Sequence, residues 1–343
     1  MKDKVYYMIN VKKELKNIGI KPIEELSVQE KTYIAEKVAT KLASLKVEGV
    51  THNQILEQLF DAQMYTAQMN SNLGNVKYFS QNKTIYFNKN INLVNLDESI
   101  LRECIHYLQD QTKIKELCKI EKSQVKGKAL NEVGINYILN KLFNKNDNNK
   151  ALILLNQLVA ITGEDICLDS ILNNNNKFEK KFIEQTNSEV LYYKVQNTFE
   201  AMFDLEQIIN RLNIEGRKSK KPERYLSKIN MHKQTLNYKF SEIQWEIYNK
   251  YFSRKIELIE KLEEIKKYKN EIFDFNQWLD IYSDELKYTN FAKEKFEKLN
   301  KIEQDIIKRK SNNSMTLFKE NIIYKIIKTV RKIVLKSKEN EIK

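Results

Sequence analysis

Residues 97–111 read Asp97-Glu98-Ser99-Ile100-Leu101-Arg102-Glu103-Cys104-Ile105-His106-Tyr107-Leu108-Gln109-Asp110-Gln111. Asp97 is a suitable N-cap, and the pattern predicts a helix over about 97–110. Two spacings in it carry the reading. Arg102 and His106 are four apart and share a helix face, and Glu103 and His106 are three apart. Upstream, 76–79 and 84–87 are short β-branched and aromatic runs separated by Ser80-Gln81-Asn82-Lys83, which predicts a hairpin. This is the one clear β signal. Downstream, 129–143 predicts a further helix with Glu132 near its start.

The rest of the chain reads as helix. Over 28–46, Tyr33, Ile34, Val38, Leu42 and Leu45 form one stripe, with Ser27 and Glu30 spaced as a capping box. Thr51 opens a second helix carrying Ile55, Leu56, Leu59, Phe60 and Met64, which a turn at 72–74 ends. Residues 150–162 and 188–213 continue the pattern around the loop 173–176, four consecutive asparagines. At 215–222, EGRKSKKP breaks the periodicity and marks a domain boundary. From 234 to 310, Phe240, Ile243, Ile247, Tyr251, Leu258, Leu262 and Ile265 fall near heptad spacing, which predicts a helical hairpin or short coiled coil. The expected fold is mainly α with one small β-hairpin or sheet. A first domain covers 1–215, and a basic helical region covers 216–343.

Composition agrees. The 343 residues include only 7 Gly and 2 Pro, too few for a collagen-like chain or an all-β sandwich with a turn every 8–12 positions. The net charge of +13 is uneven. Residues 1–215 hold 28 Lys+Arg against 27 Asp+Glu, and residues 216–343 hold 31 against 19. Three cysteines without a CxxC pair (Cys104, Cys118, Cys167) argue for free thiols in a reducing compartment. No signal peptide and no membrane-spanning run is visible, so a cytoplasmic location is expected.

The chemistry-bearing pattern is Arg102-Glu103-Cys104-Ile105-His106 followed 26 residues later by Glu132. In H-E-x-x-H, two histidines at i and i+4 hold one Zn²⁺, and the glutamate beside the first is the general base. Here the glutamate and the second histidine are in register, and the first histidine position is Arg102. Cys104 faces away from His106 by helical geometry and reads as a buried apolar thiol.

The set Thr84–Asn88, 96–99, Glu103, 106–109 and 129–132 resembles the gluzincin-type zinc metallopeptidases. It looks most like uncharacterised bacterial members with an HExxHYLQ-like motif and a following ALNE helix. The resemblance covers about 70–170. It implies Glu103 as general base, His106 as second zinc ligand and Glu132 as third. It also implies an edge strand, Ile85, Tyr86 and Phe87, that holds substrate. Arginine has no lone pair to donate and stays protonated, so it repels a divalent cation. The expectation is that Arg102 replaces the metal and bridges Glu132, leaving no cofactor and little or no peptidase activity. Zinc enters only if another ligand rescues the site, and His52 and His232 are the other histidines.

The basic third ends in 315–338, where Phe318, Ile322, Ile326, Val330 and Ile333 form an apolar stripe beside many lysines. Such a helix packs on the preceding hairpin, lies on an anionic membrane surface, or joins a nucleic-acid interface. Three functions are therefore carried forward. They are a degenerate metallopeptidase-like protein that still binds a peptide or protein, an active peptidase with a substitute ligand, and a basic helical adaptor.

Overall fold

The computed structural model describes residues 11–111, 127–145, 149–280, 293–312 and 322. The chain is mainly helical with one small sheet. Helix α1 covers 11–18. Gly19 then turns the chain at φ +85° into strand β1 (Ile20–Glu25), a conformation glycine adopts without strain. Helices α2 (Val28–Ala43) and α3 (His52–Phe60) follow. Both open on complete capping boxes, Ser27 with Glu30 and Thr51 with Gln54.

The second helix is shorter than the sequence pattern suggests. It ends at Phe60, and Met64 lies in strand β2 (Gln63–Met69). Met64 and Ala67 are buried there because β2 is an inner strand with a packed layer on each face. Strands β3 (Val76–Phe79) and β4 (Thr84–Asn88) form the expected hairpin. The sheet order is β1-β2-β4-β3, with β1–β2 and β3–β4 antiparallel and β2–β4 parallel. The β1 and β2 strands lie outside the single expected hairpin.

The sheet divides two cores. On one face, Met64, Val76, Tyr78, Ile85 and Phe87 join α2, α3, α4 (Glu98–Gln111) and α5 (Lys128–Phe143) in the main core. On the other, Tyr86, Ala67 and Met69 meet Val11 and Leu15 of α1. This is the period-two alternation of a strand covered on both sides.

Helices α6 (Lys150–Thr162), α7 (Glu164–Leu172), α8 (Lys177–Thr186) and α9 (Glu189–Lys218) complete this layer around the asparagine loop. The break expected at 215–222 is narrower in the structure. Helix α9 runs through Gly216, where a Cβ would stand 3.0 Å from Tyr225 Cβ. Only 219–221 separates α9 from α10 (Pro222–Glu257). The chain divides into compact units at Met1–Glu246 and Ile247–Lys343, inside α10 rather than at 215/216. The first part of α10 buries Ile229, Leu236, Phe240 and Ile243, pairs Glu246 with Lys194 of α9, and sets Phe240 under Lys150 of α6.

The second unit holds the end of α10, α11 (Leu262–Asp280) and α12 (293–312). Lys269 pairs with Glu303 at 2.7 Å, and Lys295 donates to Ser253 at 2.8 Å. Leu258, expected on the heptad stripe, lies past the end of α10 and is exposed. The amphipathic segment 315–338 lies outside the described residues apart from residue 322. Among the described residues no single helix is long and apolar enough to cross a membrane. Helices α6 and α7 pass that test only together, across a bend of 114°.

Gln157 of α6 is fully buried, and neither its amide nitrogen nor its oxygen has a hydrogen-bond partner among the described residues. An unpaired buried amide costs about 1–3 kcal/mol, so Gln157→Leu is expected to stabilise the fold by an amount of that order. Urea unfolding of the two proteins checks this, and a lower midpoint for the variant would count against it.

Candidate functional site

Helix α4 starts as its sequence requires. The Ile100 N–H and the Ser99 hydroxyl both donate to Asp97 Oδ1, at 2.9 and 2.6 Å. Ile100, Leu101, Cys104 and Ile105 are fully buried and orient the helix. Burial pushes the Cys104 thiol well above its ordinary pKa, with the neighbouring Glu103 charge adding to it. A packing role follows for that thiol, since the reactive form is the thiolate.

That orientation sends Arg102 and His106 toward α5. The Arg102 guanidinium lies 3.5 Å from Glu132 Oε2 and also donates to the Asn136 side-chain oxygen. His106 Nε2 lies 3.2 Å from Glu132 Oε1. One carboxylate thus receives both side chains of the i, i+4 pair. Positions 132 and 136 are themselves four apart on α5, so two faces of equal period meet. Burial raises the Glu132 carboxyl pKa, but the His106 hydrogen bond and the charges of His106, Arg102 and Lys77 outweigh it and hold it below the ordinary value.

Glu103 takes a different direction. It is 5% exposed and accepts the Tyr78 backbone N–H of β3 at 2.8 Å. Lys77 Nζ reaches both its oxygens, at 3.3 and 3.4 Å. The Tyr78 hydroxyl donates to Asp110 at 2.6 Å, and burial followed by that contact pushes the phenol far above its ordinary pKa. Gln109 closes the far end of α4. It exchanges two hydrogen bonds with Asn131 at 2.9 and 3.1 Å and donates to the Ile171 carbonyl at 2.7 Å.

The structure therefore brings Arg102, His106 and Glu132 together and turns Glu103 to the sheet. It also corrects the expected substrate strand. Ile85, Tyr86 and Phe87 belong to β4, which is paired on both sides, by β2 and β3. A peptide cannot add to a strand whose two edges are already bonded. The edge strand next to α4 is β3, and its Tyr78 N–H is taken by Glu103.

Sequence reasoning missed Lys77 and Asn136. Asn136 was accessible through its four-residue spacing from Glu132. Lys77 was not, because its reach to Glu103 depends on the order of the strands.

Zinc is the metal that the motif implies, and a zinc site draws three lone-pair donors from protein. The cluster supplies His106 and Glu132, while Arg102 supplies none. The residues present do not fit the metal. Among the described residues no group of three or more His, Cys, Asp and Glu is placed to hold a metal ion. His52 sits 3.2 Å from Glu36, and His232 lies on α10. No protein-family model, curated protein or solved structure matches the chain.

Because the Glu132 pKa is depressed in the fold, its contribution is present above the ordinary value of 4.5 and is lost as the pH falls through the folded-state pKa. Glu132→Gln is therefore expected to destabilise the protein at pH 7, with the gap from wild type narrowing below about pH 4.5. Urea unfolding of both proteins across that window checks this. A gap that stays constant would show that the Glu132 charge is not the source.

Proposed function

We propose that this chain is a degenerate zinc-metallopeptidase-like protein without peptidase activity, in which a fixed ionic cluster replaces the metal. The observation that supports this is the Arg102 guanidinium on Glu132, with His106 on the same carboxylate. A permanent cation then occupies the place of the first ligand and neutralises the third. The Lys77 ammonium adds a second fixed positive charge acting on Glu132. Glu103 is committed to Tyr78 and Lys77, so it is not poised to take a proton from water.

The role left to such a protein is binding of a peptide or protein. Pairing along β4 is not its mechanism, for the reason given above. A cytoplasmic location is part of the reading, supported by Cys104 and Cys167 as free, buried thiols. The charge excess of 216–343, 31 Lys+Arg against 19 Asp+Glu, favours a second reading in which that region meets an anionic surface. Its sharpest element, 315–338, lies outside the described residues apart from residue 322.

Metal analysis of the protein purified without chelator tests the main reading. The expected zinc content is far below one equivalent. Arg102→His restores a third donor at i, i+4 and is expected to raise zinc affinity on the order of tenfold or more. Stoichiometric, tightly held zinc in the wild type would overturn the reading, as would an Arg102→His protein that folds and binds zinc no better.

A further inference from the structure

A cavity of about 230 Å³ lies among α5, α7, α8, α9 and the asparagine loop. Leu155, Cys167, Phe178 and Tyr192 supply its buried apolar lining. The polar lining is mostly amide, and several of those amides are already used. Asn131 pairs with Gln109, Asn174 donates to the Gln109 carbonyl, and Asn175 donates to Asp169. Glu179 is different. It lines the cavity half-buried, and among the described residues its carboxylate makes no ion pair or hydrogen bond.

We propose that this cavity binds a small primary alkylammonium ion, with its charge on Glu179 and its chain against Phe178 and Tyr192. A half-buried carboxylate with no ion pair among the described residues carries a desolvation cost that a bound cation reduces. The local field points the same way. Burial, then the Glu189 charge, raises the Glu179 pKa, and Lys180 offsets this only in part. A carboxylate thus stands at a cavity lined by Phe178 and Tyr192, and aromatic faces also attract ammonium groups.

An inorganic divalent ion fits less well. It asks for six or more oxygen ligands or retained waters, and the lining offers one carboxylate beside amides of which several are already paired. The volume is below the roughly 300–1,000 Å³ of sites for larger ligands, which sets a short chain. The cavity lies on the face of α5 that carries Leu130, Asn131 and Gly134, away from Glu132 and Asn136, so it does not depend on the ionic cluster.

Calorimetric titration of the full chain with n-butylamine and with 1-butanol, at fixed ionic strength, tests the proposal. Saturable binding of the amine at one site, about tenfold or more tighter than the alcohol, is expected. Glu179→Gln should weaken amine binding about tenfold. Glu184→Gln, which removes an exposed charge on the same helix, should bind as wild type does. No saturable amine binding by the wild type would overturn the proposal, and so would equal binding of the alcohol. Equal weakening by both variants would also overturn it, since bulk charge would then be the cause. If Glu179→Gln fails to fold, the amine-to-alcohol ratio in the wild type decides.

Discussion

The buried apolar face of α4, with Ile100, Leu101, Cys104 and Ile105 fully enclosed, sets how the helix lies and brings the Arg102 guanidinium to 3.5 Å from the Glu132 carboxylate of α5. A guanidinium presents donors in a rigid plane, and here that plane reaches two acceptors, Glu132 and Asn136. With those fixed, His106 falls onto the remaining carboxylate oxygen. Glu103, one residue further round the helix, is carried to the sheet edge and meets the Tyr78 N–H. Gln109, two turns on, meets Asn131 and the Ile171 carbonyl. A single helix is thus pinned on three sides by polar contacts while its apolar face fills the core. Around the cluster, partly exposed charges are paired rather than stranded, which avoids the larger penalty of a buried lone ion.

The β3 edge gains from the same arrangement. An unpaired strand edge invites another chain, and natural proteins cover it. Glu103 does so at Tyr78, and Asp110 holds the Tyr78 hydroxyl a little further along. In the proposed reading, a carboxylate with the sequence position of a general base has become part of the device that closes the sheet. Its low exposure follows from that contact.

Local chemistry was the most legible part of this chain. Ser27 with Glu30, Thr51 with Gln54, Asp97 at the start of α4 and the β3–β4 hairpin all involve residues within a few positions of each other. Short-range hydrogen bonds decide them, so their residues are enough to read them. The pairing of Arg102 with Glu132 was also readable, because opposite charges on two helix faces of equal period have little else to meet. What was hidden depends on strand order. Gln63–Met69 carries no clean alternation, since packed layers on both of its faces permit apolar residues at adjoining positions. The inner place of β4 arises from its parallel pairing with β2, a contact across 21 residues at Gln63 and Thr84 that no local pattern announces. Gly216 within α9 marks a close helix approach to Tyr225, not the end of the helix.

On the proposed reading, metal binding and peptide hydrolysis are separable in this fold, and Glu103 is the reason. On that reading a metal site lacks one donor, which a substitution at Arg102 is expected to supply. Hydrolysis asks for more, namely a carboxylate with a free oxygen near water and a strand edge open to the substrate. Glu103 accepts a backbone N–H and a lysine, and the β3 position it occupies lies on an edge of the sheet. Freeing the base would uncover the sheet, and covering the sheet consumes the base. The two demands compete for the same 2.8 Å contact. On the proposed reading, the change at position 102 and the closing of the edge at Tyr78 are therefore independent locks on the chemistry, and opening one leaves the other in place.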